Sequence, residues 1–212
     1  MWSTIYRTLE GAEVDEARRL SNCNPDVFSA YALDRLPCVF EIAGSLEPAS
    51  DFRAKQRLIL GAFQSDRIVG ALFIESVDRL AEIETSKASW DIVLSRFTEH
   101  EVNVYRTLVA DWGRAMIGAP DGSLSIHSLC VAREHRQKGI ATALLREAVD
   151  RLRDDERSSL YIEVARIRSY RRLCESAGFR IVSKRLSLSD RLQFGCWGTA
   201  LFKFAPTDLP TN

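Results

Sequence analysis

The segment from Arg136 to Ala141 (Arg-Gln-Lys-Gly-Ile-Ala) has the residue types that bind an anion where a helix begins. The first-turn amides of a helix have no intrahelical partner, and the helix dipole adds partial positive charge there. Gly139 and Ala141 lack bulk that would hold a phosphate away from the backbone. Arg136 and Lys138 add formal charge beside these amides. The segment therefore predicts a diphosphate site that needs no metal.

The surrounding sequence alternates between strand and helix patterns and predicts one α/β domain over residues 1–212. A strand over 123–131 leads into the anion-binding segment, and an amphipathic helix over 138–153 contains most of it. Residues 78–118 carry two helical stripes and predict a helical insertion. The other predicted elements are a strand at 3–9, helices at 11–20 and 22–37, a loop at 45–52, a hairpin of strands 58–63 and 68–77, a strand at 159–164, a helix at 169–177, strands at 180–186 and 196–204, and a mobile tail at 205–212.

Composition excludes several classes of function. The 29 basic and 29 acidic side chains cancel, so the overall charge expected of a nucleic-acid-binding protein is missing. Five scattered cysteines without C-x-x-C spacing, and only three histidines, argue against a zinc site and favour a reducing compartment. The N-terminus does not have the pattern of a secretory signal, and no apolar stretch reaches membrane-spanning length. We therefore expect a soluble cytoplasmic protein with no metal, nucleic-acid or membrane partner; its oligomeric state is left open.

The order strand, R-x-x-G-x-A, helix resembles the acetyl-coenzyme A motif of the GCN5-related N-acetyltransferase (GNAT) superfamily. Here it begins at Arg136 and ends at Ala141. The resemblance extends over roughly residues 3–204, apart from the insertion at 78–118, and includes the helix that ends in Glu-Ser-Ala-Gly-Phe. His127, Leu129 and Val131 match a His-x-Leu-x-Val strand that is similar to the arylalkylamine N-acetyltransferase branch.

The resemblance implies a fold, a cofactor and an activity. The implied fold is a single domain with a mixed, mostly antiparallel central sheet flanked by helices. The implied cofactor is acetyl-coenzyme A, from which an acetyl group passes to an amine. By resemblance, the main chain of the motif strand pairs with the pantetheine arm, like an added strand. The implied cofactor-binding residues are Leu129, Cys130 and Val131 on the strand, and Arg136, Gln137, Lys138, Gly139, Ile140, Ala141 and Thr142 on the loop and helix start.

Acetylation of an ammonium requires a base, and His127 is the first candidate. An imidazole titrates near neutral pH and takes a proton directly or through water. The structural alternative is a strand histidine that is hydrogen-bonded within the core. The animal enzymes of the branch carry a second histidine two residues upstream, where this chain has Ser125, which would relay a proton through water. Glu163 on the following strand is the reserve base, with an exposed strand-edge glutamate as the alternative.

The leaving thiolate needs a proton donor, and here the chain departs from the family. Relatives carry a tyrosine five residues before the phenylalanine that ends the Gly-Phe pair, but this chain has Cys174 there. Tyr170 lies one helical turn earlier on the same face. Tyr170, Cys174 or solvent therefore supplies the proton, and a small core residue is the alternative interpretation of Cys174. Polarisation of the thioester carbonyl is assigned to the backbone amide of Leu129.

Three functions remain open from the sequence. The first is acetylation of a small-molecule amine of the arylalkylamine or polyamine type, because aromatic residues concentrate in regions that line the acceptor pocket of such folds. The second is acetylation of a protein or peptide amine. The third is a catalytically silent acetyl-coenzyme A-binding protein, which the missing tyrosine at position 174 favours. The aromatic residues, which the alternative assigns to the core, are Phe28, Tyr31, Trp90, Phe97, Tyr105, Trp112, Phe194 and Trp197.

Overall fold

A seven-stranded sheet organises the protein. The computed structural model describes residues 4–23, 27–46, 56–77, 87–152 and 159–204, so the predicted tail at 205–212 lies outside the described residues. The strands are β1 (Ile5–Thr8), β2 (Gln56–Gln64), β3 (Arg67–Ser76), β4 (Leu124–Val131), β5 (Leu160–Ala165), β6 (Arg180–Lys184) and β7 (Thr199–Phe204). Their spatial order is β1-β2-β3-β4-β5-β7-β6. Neighbours are antiparallel except β4 and β5, which are parallel. The predicted mixed, mostly antiparallel α/β fold is confirmed.

The hairpin of β2 and β3 shows how local sequence determines pairing. Ser65 and Asp66 form its two-residue turn with φ angles of 49° and 63°. Two consecutive positive φ values are the signature of a type I′ turn, whose twist matches that of the flanking strands. The predicted turn Gln-Ser-Asp-Arg is therefore confirmed, and the strands extend to it from both sides.

Eight α-helices occur in the described residues: α1 (Ala12–Asn22), α2 (Val27–Arg35), α3 (Val39–Leu46), α4 (Lys87–Arg96), α5 (Glu99–Ala115), α6 (Ile140–Leu152), α7 (Arg168–Ser176) and α8 (Leu188–Phe194). The pair α4 and α5 confirms the helical character of the insertion over its described part. A capping box between Thr98 and Glu101 begins α5, since the Thr98 hydroxyl accepts the Glu101 amide at 3.3 Å.

Two short helices were not predicted. Residues Ser45 and Leu46, predicted in a loop, end α3 instead, and α8 occupies the connection between β6 and β7, which the sequence predicts as a loop. Both helices have fewer than nine residues, and a helix this short is only marginally stable in isolation, so its local sequence is a weak signal. They form because tertiary packing buries one side of each; Ile42 of α3 is completely buried, for example.

The two faces of the sheet carry different layers. Alternate strand residues pack on one face against α6 and α7, around core residues such as Leu72, Leu144 and Phe202. The opposite face packs against α1 through Val14, Ala17 and their neighbours. A separate apolar cluster joins α2, α3, α4 and α5. The insertion therefore belongs to a helical layer beside the sheet, and its far end returns the chain to β4.

Candidate active site

Strands β4 and β5 diverge and form a fork. Their parallel ladder pairs Leu124–Ile126 with Leu160–Ile162, and it ends there within the described residues. On its other side β4 continues along β3 as far as Val131. Beyond Ile126 the β4 edge therefore faces a gap, which we call the fork (residues 127–131 of β4 and 163–165 of β5). An extended ligand that adds to the β4 edge fits such a gap.

A bulge in β4 coincides with the start of the fork. Phe73 of β3 pairs with Ser128 and Ile74 pairs with Ile126, so His127 is the additional residue. A bulge bends its strand and increases the local twist, which separates β4 from β5. It also redirects the side chain of the additional residue, and His127 is 50% exposed. The fork and the exposed imidazole thus share one local cause.

The chain passes from β4 into α6 through a turn that leaves backbone amides open. Gln137 and Gly139 have φ angles of 61° and 80°, a region that favours glycine. The first α-helical bond runs from the Ala143 amide to the Gly139 carbonyl at 3.0 Å, so α6 begins at Ile140 rather than at the predicted Lys138. We call residues 136–142 the anion cradle.

The open space at the cradle fits a diphosphate. A Cβ atom added to Gly139 would meet nothing within 4 Å, so the space beside this backbone is unfilled by the described protein. Lys138 is exposed, and Arg136 Nε donates to the Val131 carbonyl at 3.1 Å, which ties the cradle to the end of β4. First-turn amides, a cationic surround and an open approach are the donor set that phosphate oxygens require. The predicted cofactor-binding residues thus lie along one path, from the β4 edge to the start of α6.

His127 lies beside a carboxylate that was missing from the sequence-based site. Its Nδ1 atom is 3.4 Å from Oε1 of Glu75 on β3, and Glu75 pairs in register with Ser125. Ser125 is partly buried on the same stretch of β4. A second contact secures the strand nearby, since the Ser21 and Ser128 hydroxyl oxygens are 2.8 Å apart and join α1 to β4. The sequence feature that could have indicated Glu75 is its charge, which is unusual within the apolar run 68–77.

Glu163 has partners that explain its position without a role in proton transfer. The Ile117 and Gly118 amides donate to its Oε1 and Oε2 atoms at 2.7 and 2.9 Å. The Thr199 hydroxyl donates to the Ala115 carbonyl at 3.1 Å. These contacts fasten the end of α5 to the β5 side of the fork. The alternative of a merely exposed glutamate is therefore replaced by that of a structural anchor.

The two candidates for protonating the thiolate lie in different environments. Cys174 is completely buried in the core beneath α7, and burial raises the pKa of its thiol to about 12. Tyr170, one turn earlier, is partly buried against Ala115, Ala165 and Cys196 at the end of β5. Tyr170 therefore lies beside the fork, whereas the Cys174 thiol lies within the hydrophobic core.

The aromatic residues considered for the acceptor pocket separate into groups. Tyr31 of α2 and Phe194 of α8 make an edge-to-face contact with ring centroids 4.7 Å apart. Phe194 packs on the same cluster as Tyr170. Phe97 and Tyr105 pack among the helices of the insertion, while Trp112 and Trp197 are exposed at the surface. The side chains of Phe28 and Trp90 lie outside the described residues.

The sequence profile of the Acetyltransferase (GNAT) family matches residues 24–179, well over half of the chain. The match spans both the fork and the cradle. The chain belongs to the Acetyltransferase (GNAT) family, as the motif resemblance predicted. It is an N-acetyltransferase-type enzyme whose cofactor is acetyl-coenzyme A. No curated protein sequence matches the chain.

Solved structures share the fold at low sequence identity. A putative arylalkylamine N-acetyltransferase 7 from the yellow fever mosquito Aedes aegypti has a TM-score of 0.64 and 16% identity over 96% of this chain and 87% of that one. An IAA acetyltransferase from Bacillus cereus has a TM-score of 0.54 and 15% identity over 95% and 99%. The ribosomal-protein-S18-alanine N-acetyltransferase from Escherichia coli has a TM-score of 0.53 and 12% identity over 95% and 93%.

Neither a metal-binding cluster nor a membrane-spanning helix occurs in the described residues. Among them no group of three or more His, Cys, Asp or Glu side chains is arranged to hold a metal ion. In the same part of the chain, no helix combines the length and apolar character needed to cross a bilayer.

Proposed function

We propose that this enzyme acetylates a small-molecule primary amine of the arylalkylamine or polyamine type by direct transfer. The single observation that carries the proposal is the exposed His127 imidazole at the bulge where the fork begins. That position lies next to the β4 edge on which the pantetheine arm is expected. The aromatic pair Tyr31 and Phe194 near the β5 side supports an acceptor with an apolar body. The fold likeness to an arylalkylamine N-acetyltransferase supports the same class.

Each residue of the site has a separate role in the proposed acetyl transfer. Bound acetyl-coenzyme A would supply the acetyl group: the free amine would form a C–N bond to its thioester carbonyl carbon while the C–S bond breaks and the thiol is released. His127 removes the ammonium proton, directly or through water that Ser125 helps to hold. The Leu129 amide would donate a hydrogen bond to the carbonyl oxygen of bound acetyl-coenzyme A and so polarise it. The cradle amides and Arg136 hold the diphosphate and so fix the position of the acetyl group.

Tyr170 is our choice for the group that protonates the departing thiolate. Its partly buried ring beside Ala165 supports this role, because the ring lies at the β5 side of the fork. The complete burial of Cys174 argues against a thiol that must reach the reacting atoms. Glu163 holds the segment after α5 in place while its carboxylate accepts two amides. We therefore keep Glu163 as reserve base only, behind His127.

The cysteine at position 174 makes a catalytically silent acetyl-coenzyme A-binding protein the outcome that would overturn this proposal. We also propose that residues 1–212 form one domain, that the protein is cytoplasmic, and that it has no nucleic-acid or membrane partner. The reducing compartment is supported by five free cysteines, of which three are buried.

Thiol release with a panel of acceptors tests the proposal. We would measure the rate with tryptamine, spermidine and lysine-containing peptides, using wild-type protein and the variant His127→Ala. Turnover of tryptamine or spermidine, lowered at least about tenfold by the variant, is expected for a general base. Activity on peptides alone would establish the protein-acetylating alternative. Tight coenzyme A binding in calorimetry without thiol release from any amine would establish the silent binder.

A further inference from the structure

Glu75 lies beside His127 but has no role in the proposed mechanism. Glu75 lies on β3 and His127 on β4, and the two side chains approach to 3.4 Å between Oε1 and Nδ1. The carboxylate is 30% exposed and the ring 50% exposed, so both groups remain partly solvated. The contact involves Nδ1, which leaves the other ring nitrogen, Nε2, on the opposite edge of the imidazole.

The bulge in β4 is what brings the two groups together. Glu75 pairs in register with Ser125. In a regular strand, residue 127 would lie on the same face of the sheet as Ser125, and its side chain would keep the regular ladder direction. Because His127 is the additional residue of the bulge, its side chain turns from the regular ladder direction. The carboxylate then meets the edge of the ring that carries Nδ1. The same distortion that opens the fork thus creates the pair.

Other charged groups lie on the elements that adjoin this part of β4. The β5 side contributes Tyr161 and Glu163, and both oxygens of Glu163 accept backbone amides. Helix α1 packs on β3 and β4 and contributes Asp15, Arg18 and Arg19, which line a shallow open depression on that helix. Across the two strands, His127 and Glu75 lie within ion-pair distance of each other.

We propose that Glu75 is a positioning residue for His127. Its carboxylate lies 3.4 Å from Nδ1 and would accept the Nδ1–H of the neutral ring in the reactive arrangement, which selects the tautomer with a lone pair on Nε2. Nε2 then takes the ammonium proton of the acceptor amine, and the carboxylate stabilises the resulting imidazolium. Glu75 exchanges no proton itself and touches no reacting atom. The inference rests on the proposed function of His127 and adds the group that orients its base.

The test measures the histidine titration in addition to activity. The chain contains three histidines, so the ring C–H signals of His100, His127 and His135 can be assigned in proton NMR with His127→Ala. In Glu75→Gln the titration midpoint of the His127 signal is expected to fall by about 0.5 to 1 pH unit, from the loss of one charge near 3.4 Å. The acid limb of kcat/KM should move to lower pH by the same amount. The value at neutral pH should nevertheless fall by about tenfold, because the tautomer with a lone pair on Nε2 is no longer favoured.

Two further variants keep the outcome interpretable. Glu75→Asp retains the charge and should restore part of the midpoint and of kcat/KM. Glu175→Gln removes a carboxylate that pairs with Arg171 on the surface of α7, and it should change neither quantity. If Glu75→Gln unfolds, the midpoint in folded Glu75→Asp decides instead, since a shorter side chain must shift it measurably.

The result separates this inference from the proposed function. An unchanged His127 midpoint and an unchanged pH profile in Glu75→Gln, beside an active wild type, would overturn the positioning role alone. Absence of turnover in the wild type, together with a shifted midpoint, would leave the pair established and overturn the proposed acetylation. A midpoint that shifts equally in Glu175→Gln would also overturn the inference, because a general charge effect would then explain it.

Discussion

Replacement of Gly139 by alanine tests the cradle most directly. Gly139 has φ = 80°, where an L-residue costs about 1 kcal/mol or more of folding free energy. A Cβ there meets no protein atom within 4 Å and instead enters the space expected to hold the phosphates. Loss of one or two charge-assisted hydrogen bonds, at about 1.5–3 kcal/mol each, predicts a Kd for coenzyme A that is weaker by about 10- to 100-fold or more.

Gly122→Ala is the matched control for this substitution. Gly122 has φ = 72°, and a Cβ there also meets nothing within 4 Å, but it lies in the loop before β4. Both variants should lose a similar amount of stability in urea unfolding, by about 1 kcal/mol. Only Gly139→Ala should lose affinity for coenzyme A in titration calorimetry. Wild-type affinity in Gly139→Ala, or an equal loss in Gly122→Ala, would refute the cradle as the phosphate site.

The remaining predictions concern the anchor, the proton donor and the thiols. Glu163→Gln should lower the free energy of unfolding by about 1–3 kcal/mol, because an NH2 donor then replaces one of the two oxygens that accept the Ile117 and Gly118 N–H groups. A Tm equal to that of wild type would contradict the anchor. Tyr170→Phe should lower kcat while the Kd for coenzyme A stays unchanged, and an equal kcat would remove Tyr170 from the mechanism. Burial raises the pKa of the Cys130 thiol to about 11 and that of the Cys174 thiol to about 12. Both thiols should therefore stay protonated and unreactive to iodoacetamide at pH 8, whereas the exposed Cys23 should react. Peptide mass mapping after alkylation measures this difference. These two folded-state pKa values exceed the unfolded value near 9, so the two thiols should contribute to stability fully below pH 9 and less as pH rises toward 11 to 12. An unchanged urea midpoint between pH 8 and pH 10.5 would contradict this.

Local patterns were sufficient for most elements and for the cofactor motif. The apolar spacing of 138–153 predicted α6 to within two residues, and the polar turn at Ser65 and Asp66 predicted the β2–β3 hairpin. The Arg136 to Ala141 motif predicted the family. These features can be predicted from the sequence because they depend on residues a few positions apart. Helical periodicity, capping and turn preferences act over that range.

Residues brought together across the sheet could not be predicted in the same way. Glu75 contacts His127 across two strands, and Glu163 binds amides 45 and 46 residues earlier in the chain. Neither partner follows from local spacing, because strand register and a bulge decide which side chains meet. The burial of Cys174 is likewise a matter of packing, since the sequence shows only a cysteine on one face of a helix.

The sequence by itself determined the order of the strands and of most helices, the glycine-containing start of α6 that is predicted to bind an anion, and the membership in the acetyltransferase family. Only the tertiary structure decided that β4 parts from β5 after Ile126, that His127 lies at the bulge beside Glu75, and that Tyr170 rather than Cys174 lies beside the fork. The physical reason is the separation along the chain of the residues that interact. Helix and turn preferences are set by neighbouring residues, whereas strand register and burial are set by contacts between distant segments.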